Sequence, residues 1–206
     1  MKKLKIVFAV LCMFCLTGCS EKEVLSEEMQ YENMTYQETN KKTNNVMIEL
    51  DDERKIFLEL YPDVAPISVK NFKKLVESDF YNDIIFHRVV KDFVIQAGDG
   101  TSLGRNASTI KGEFNANGVE NNLKHERGVL SMARSNISMD SASSQFFIML
   151  EDNSSLDGQY AAFGRVIAGM DVVDSIGSVV TDSRDKPIKD IKIKRTEFVK
   201  VVNKDE

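Results

Sequence analysis

The stretch Phe86-His87-Arg88-Val89-Val90-Lys91-Asp92-Phe93-Val94-Ile95-Gln96-Ala97-Gly98-Asp99 sets one arginine and one glutamine among aromatic and β-branched residues. An arginine keeps its charge at any physiological pH and presents a rigid fork of donors. A glutamine can hold that fork, and aromatic rings can wall an apolar slot beside it. Such a set suits electrostatic stabilisation of a bound group better than proton transfer. The only histidines, His87 and His125, read as residues for packing or backbone hydrogen bonds. They fall short of the three or four ligands a zinc site needs, so neither metal nor cofactor is expected. Gly98, Gly100 and Gly104 lack the dinucleotide-binding spacing and are read as turn glycines.

To act together, Arg88 and Gln96 must share one face of a hairpin. Phe86 to Val90 and Phe93 to Ala97 read as its two strands, with Lys91-Asp92 breaking the apolar run and Gly98-Asp99-Gly100 turning the chain. A two-residue connection would put Arg88 and Gln96 on opposite faces. A three-residue connection through Lys91, Asp92 and Phe93 would pair them on one. Periodicity alone leaves both registers open.

Further blocks follow in order: Gly128-Val129-Leu130-Ser131-Met132-Ala133, Ser144-Gln145-Phe146-Phe147-Ile148, Leu156-Asp157-Gly158 and Phe163-Gly164-Arg165-Val166. Together with Phe86-His87-Arg88-Val89, Phe93, Gln96, Gly98 and Asp99 they resemble the signature of the cyclophilin-type peptidyl-prolyl isomerases, over roughly 46 to 200. The resemblance implies the second register and a closed antiparallel barrel of eight strands. It implies that Arg88 meets the prolyl carbonyl and the neighbouring nitrogen, with Phe93 and Gln96 beside it as the catalytic set. It places Val94, Phe147, Leu156 and Tyr160 around the proline, and Gln145 among the groups that orient Arg88 and the peptide. Ala133 and Arg134 match the segment whose backbone meets the residue before proline. Val94 departs from the usual methionine, Ser155 from a frequent tryptophan, Tyr160 from a frequent histidine and Arg134 from a common asparagine. Arg88 is then the one charged side chain expected to act in the pocket, with Arg134 acting through its backbone.

The rest of the chain must supply the frame. Of 206 residues, 42% are hydrophobic, enough for one domain with a sizeable core plus appendages. Met1-Lys2-Lys3-Leu4-Lys5 is a basic start, and the apolar run from Ile6 to Leu16 is too short to span a bilayer. It reads as an export signal over 1–18. Leu16-Thr17-Gly18-Cys19 resembles the lipobox of bacterial lipoproteins, with Cys19 the lipidated residue and new terminus. Cleavage there would also remove Cys12 and Cys15, leaving no partner for a disulfide. The polar stretch that follows, to residue 45, reads as a flexible tether reaching roughly 25 to 30 Å.

A folded domain is expected over 46–200 and a tail over 201–206. Its first strands read as Val46 to Leu50 and Lys55 to Leu60. A helix follows from Pro66, with Val69, Phe72 and Val76 on one face, and a second helix fits Met170 to Ile176. A last strand is expected from Ile188 to about Val199, with Lys189, Lys192, Lys194 and Arg195 on its exposed side. The fold class is β-dominated: a closed eight-stranded antiparallel barrel capped by two short helices.

The formal net charge of −5 at pH 7 argues against nucleic acid as a partner. The expected function is prolyl isomerisation that assists the folding of exported proteins, on a monomer anchored by lipid at the extracytoplasmic face of a cell membrane. Its partners would be proline-containing polypeptides. The alternative is a binding module that holds such segments without turnover.

Overall fold

A computed structural model describes residues 23–202. The stretch read as an export signal, and Cys19, lie outside the described residues. The strands are β1 Met29–Tyr31, β2 Met34–Glu38, β3 Asn45–Leu50, β4 Lys55–Leu60, β5 Arg88–Val90, β6 Val94–Ala97, β7 Val129–Met132, β8 Phe146–Met149, β9 Ala162–Ala168 and β10 Ile193–Val202. They form one antiparallel sheet in the order β1-β2-β10-β3-β4-β9-β7-β8-β6-β5. Helix α1, Pro66–Glu77, and helix α2, Met170–Gly177, are the two expected helices.

The expected closed barrel needs correction. From β10 round to β5 the sheet curls about one core, but no ladder joins its two ends. At the seam, residues just before β5 meet the start of β10 through an isolated bridge, Ile85 to Lys192. Three backbone bonds accompany it: Asp83 N to Ile193 O at 2.7 Å, Ile193 N to Ile84 O at 2.8 Å and Phe86 N to Ile191 O at 2.9 Å. Asp83, at a φ of 65°, is among the residues that bend the chain there away from a regular strand.

The alternation of each strand assigns its two faces. Val46, Ile48, Ile56, Leu58, Ile95, Phe146 and Ile148 enter the main core. Helix α1 closes one part of that core with Val69, Phe72, Leu75 and Val76. Phe72 lies 5.1 Å from the Tyr81 ring, 5.5 Å from Phe146 and 5.4 Å from Phe163. Ala65 gives α1 no side-chain cap. Buried Glu113 serves instead, accepting from Ile67 N at 2.9 Å and from Ser68 N and Oγ, each at 2.7 Å. A carboxylate there satisfies first-turn amides and meets the positive end of the helix dipole.

The tether expected up to residue 45 is also corrected. Its apolar residues are sparse, but they have complementary partners elsewhere. Tyr36 and the half-buried Met29, Tyr31 and Met34 pack against Met47, Phe57, Ala168 and Val199 on the outer face of the sheet. Tyr36 sits 4.7 Å from Phe57, ring to ring. Val201 and Val202, expected in the tail, extend β10 and pair with Tyr36 and Thr35 of the hairpin. Glu38, Glu49, Lys55, Lys194 and Arg195 then cross β2, β10, β3 and β4 as one ion network. Lys194 and Arg195, expected on a plain exposed side, are thus engaged.

Candidate active site

The hairpin adopts the three-residue connection. Arg88 pairs with Gln96 and Val90 with Val94, with Lys91, Asp92 and Phe93 forming the turn. Asp92 takes the left-handed position at a φ of 57°, and Phe93 N closes the turn on Val90 O at 3.1 Å. Val89, Ile95 and Ala97 therefore face the core, while Arg88, Val94 and Gln96 face outward onto a second apolar cluster. On β8 the same alternation sends Phe147 to that outer cluster.

Arg88, Phe93, Val94, Gln96, Ala133, Arg134, Phe147, Leu156 and Tyr160 line one pocket of about 200 Å³. Gln145 stands directly behind it. Its Oε1 accepts from Gln96 Nε2 at 2.9 Å, and Gln96 Oε1 accepts from Arg88 Nη1 at 3.3 Å. Asp185 gives Arg88 a second, looser partner, Oδ2 to Nε at 3.8 Å. A side chain that would otherwise sweep through water is thus held from two sides.

Gln145, Leu156 and Phe147 have supports that the sequence alone does not announce. The segment before Gln145 is held by Tyr81 Oη donating to Ser144 O at 3.0 Å and by Ser144 Oγ donating to Gly98 O at 2.8 Å. Gly98 has a φ of 95°, and a Cβ there would run into the Ser144 carbonyl, so only glycine lets the two segments approach. Leu156 is placed by Asp157, which accepts from His125 N at 2.8 Å and lies 3.2 Å from His125 Nδ1. His125 Nε2 in turn lies 3.1 Å from Ser131 Oγ. Serine, histidine and aspartate in line resemble a nucleophile triad, but Ser131 is 0% exposed, so no substrate reaches its hydroxyl. The group is a brace, with the imidazole stacked 6.1 Å behind the Phe147 ring.

Burial lowers the pKa of both His87 and His125 from the ordinary value of 6.5, against raising contributions from Asp99 at the first and Asp157 at the second. Neutral imidazoles at neutral pH fit packing roles. Among the described residues, no three His, Cys, Asp or Glu side chains gather as a metal site.

Beyond the backbone role implied for it, Arg134 also places its side chain at the pocket. Its guanidinium lines the pocket as a second cation, 4.8 Å from the Tyr160 ring centre and 5.3 Å from that of Phe114. Phe114 was missed from sequence; it adjoins Glu113, whose bonds to α1 fix that loop. Ser155, by contrast, lies outside the pocket lining and donates to Asn153 Oδ1 at 2.6 Å.

An apolar slot with a fixed cation at its side can hold a proline ring and act on the amide beside it. Residues 45–198 match the family model described as cyclophilin type peptidyl-prolyl cis-trans isomerase/CLD. Similar proteins include peptidyl-prolyl cis-trans isomerase CYP18-2 of Arabidopsis thaliana, 42% identical over 69% of this chain and 86% of that one. Another is peptidyl-prolyl cis-trans isomerase ppi1 of Schizosaccharomyces pombe, 44% identical over 68% and 89%. A solved Cryptosporidium parvum cyclophilin type isomerase, crystallised in the presence of the dipeptide Ala-Pro, superposes with a TM-score of 0.66 at 31% identity, covering 74% of this chain and 97% of that one. The chain belongs to the cyclophilin-type peptidyl-prolyl cis-trans isomerases.

Proposed function

We propose that Arg88 is the donor that accelerates rotation about X-Pro bonds in this pocket, and that the protein works on exported polypeptides from a lipid anchor at Cys19. Rotation about an X-Pro amide meets a barrier near 20 kcal/mol because the C–N bond is partly double, and no covalent bond need break. In the twisted state conjugation is lost and the proline nitrogen regains its lone pair. A donor already aimed at that nitrogen interacts more strongly with the twisted amide than with the planar one, which is what lowers a barrier. Phe93, Val94, Phe147 and Leu156 exclude water from the ring, which strengthens the interaction.

The observation that carries the catalytic reading is the line Arg88–Gln96–Gln145 beside this apolar slot. A module that merely held proline segments would gain nothing from a cation braced in this way. The reading of location rests on the basic start, the apolar run and the Leu16-Thr17-Gly18-Cys19 motif. Two or more acyl chains on Cys19 would anchor firmly, where one binds marginally. Turnover of a short X-Pro peptide with and without the Arg88 guanidinium tests the first part. For the second, Cys19→Ser should leave an unprocessed or unretained protein, and wild-type protein that is unlipidated with an intact Met1 would refute it.

A further inference from the structure

The pocket carries two guanidinium groups and no carboxylate, on a chain whose formal net charge is −5. Arg88 has Asp185 nearby, whereas among the described residues no carboxylate forms an ion pair with Arg134. Arg134 is nonetheless held. Its Nε donates to Gln159 O and its Nη1 to Ser135 O, each at 3.1 Å, and its plane lies against the Tyr160 and Phe114 rings. Neutral carbonyls and ring faces orient the group without cancelling its charge.

An open pocket of about 200 Å³ holds a proline but not the residues on both sides of it as well, so the flanking residues lie across its rim. Arg134 stands there with its charge uncompensated. We infer that Arg134 determines specificity, selecting peptides that carry an aspartate or glutamate immediately flanking the proline. The attraction also acts at a distance, since an uncompensated cation beside low-dielectric walls concentrates anionic segments at the pocket mouth. Arginine suits the task better than lysine, because its planar fork stacks on the rings and still offers donors at its edge to a carboxylate.

The inference rests on reading the pocket as the proline slot, and the test separates the two. Isomerisation is measured on short peptides differing only in Glu, Gln or Lys directly before, or directly after, the proline. The wild type should favour Glu over Gln at one of these positions by about fivefold in kcat/KM, as expected of a partly exposed ion pair. Lys should be disfavoured there, and the ratio should shrink as salt is raised toward 1 M. In Arg134→Gln the Glu-to-Gln ratio should fall to about one, whatever happens to the absolute rates. Arg134→Lys should restore part of it. Equal rates for Glu and Gln peptides in the wild type overturn the inference, as does a preference that survives in Arg134→Gln. A merely structural Arg134 would move all peptides together and leave the ratio alone. If Phe93→Ala spares turnover of the Gln peptides, the pocket reading itself fails, which is a different result.

Discussion

Replacing Arg88 by alanine should separate activity from stability. The guanidinium is partly in water, its side chain 39% exposed, and its bonds are modest: 3.3 Å to Gln96 and 3.8 Å to a half-exposed Asp185. Removing such contacts costs the fold less than about 1 kcal/mol. The transition state loses more. A single preorganised donor at a developing charge is worth roughly 2.7 to 4 kcal/mol, and solvent access at Arg88 argues for the lower end. Since about 1.4 kcal/mol is a factor of ten, kcat/KM for a neutral X-Pro peptide should drop about a hundredfold. Arg88→Lys should recover only part of this, because a lysine cannot take the Gln96 bond and point at the amide at once. The assay is peptide isomerisation with thermal melting on the same samples. A variant with near wild-type kcat/KM and an unchanged melting temperature refutes the mechanism; one that is inactive because it has unfolded refutes the stability argument.

Three other outcomes can be checked. The rate should be nearly flat from about pH 6 to 8, since no imidazole lines the pocket, but stability should not be. Burial lowers both histidine pKa values, so the unfolded chain binds protons more readily. Stability is then constant above the ordinary value of 6.5 and falls as pH drops below it, a slope that His125→Gln should reduce in melts between pH 5 and 7. Glu49→Gln should cost roughly 3 kcal/mol in urea unfolding at pH 7. Burial alone would raise the Glu49 pKa, yet hydrogen bonds from Lys194, Arg195 and Lys55 hold it at about 2, so its contribution is full above 4.5 and lost as pH falls toward 2. Tyr36→Ala should cost about 3 kcal/mol in the same assay, because Tyr36 is 2% exposed and seals Phe57; no change would mean that the hairpin contributes nothing to the fold.

Most of the pocket residues were legible through the family resemblance, and strand patterns account for only part of them. Alternation separates Phe146 from Phe147 and Ile95 from Gln96, whereas Ala133, Arg134, Leu156 and Tyr160 lie outside the strands and were reached only through the resemblance. Periodicity left the register open, since it depends on Asp92 taking a left-handed conformation, which aspartate tolerates but does not require; only the resemblance implied the register found. The side-chain placement of Arg134 was not legible, because it depends on Tyr160 and Phe114, two rings brought together only by the tertiary fold. The hairpin of β1 and β2 was invisible for a similar reason. Met29, Tyr31, Met34 and Tyr36 look too few until Met47, Phe57 and Val199 are known to leave an apolar patch on the outside of the sheet. In β3 and β4 the unbroken apolar runs were the available clue, since strands with one wet face would alternate.

Strand β10 lies between β2 and β3, so a segment far along the chain separates two that are neighbours in sequence. Thr43 Oγ1 reaches Val199 O across 156 residues of sequence, at 2.7 Å. Contacts that close so large a loop form late, because the chain entropy is lost before the contact repays it. Until β10 arrives, β1 and β2 have no ladder to join, and the outer face of Met47 and Phe57 stays bare. The part of the sheet from β4 through β9, β7, β8 and β6 to β5 uses no residue beyond Ala168, so it is the β1-β2 edge that waits for β10. Truncation from residue 198 onward would release the hairpin and strip the β2 pairing in one step, leaving the pocket residues intact in sequence but the sheet that carries them open along its far edge.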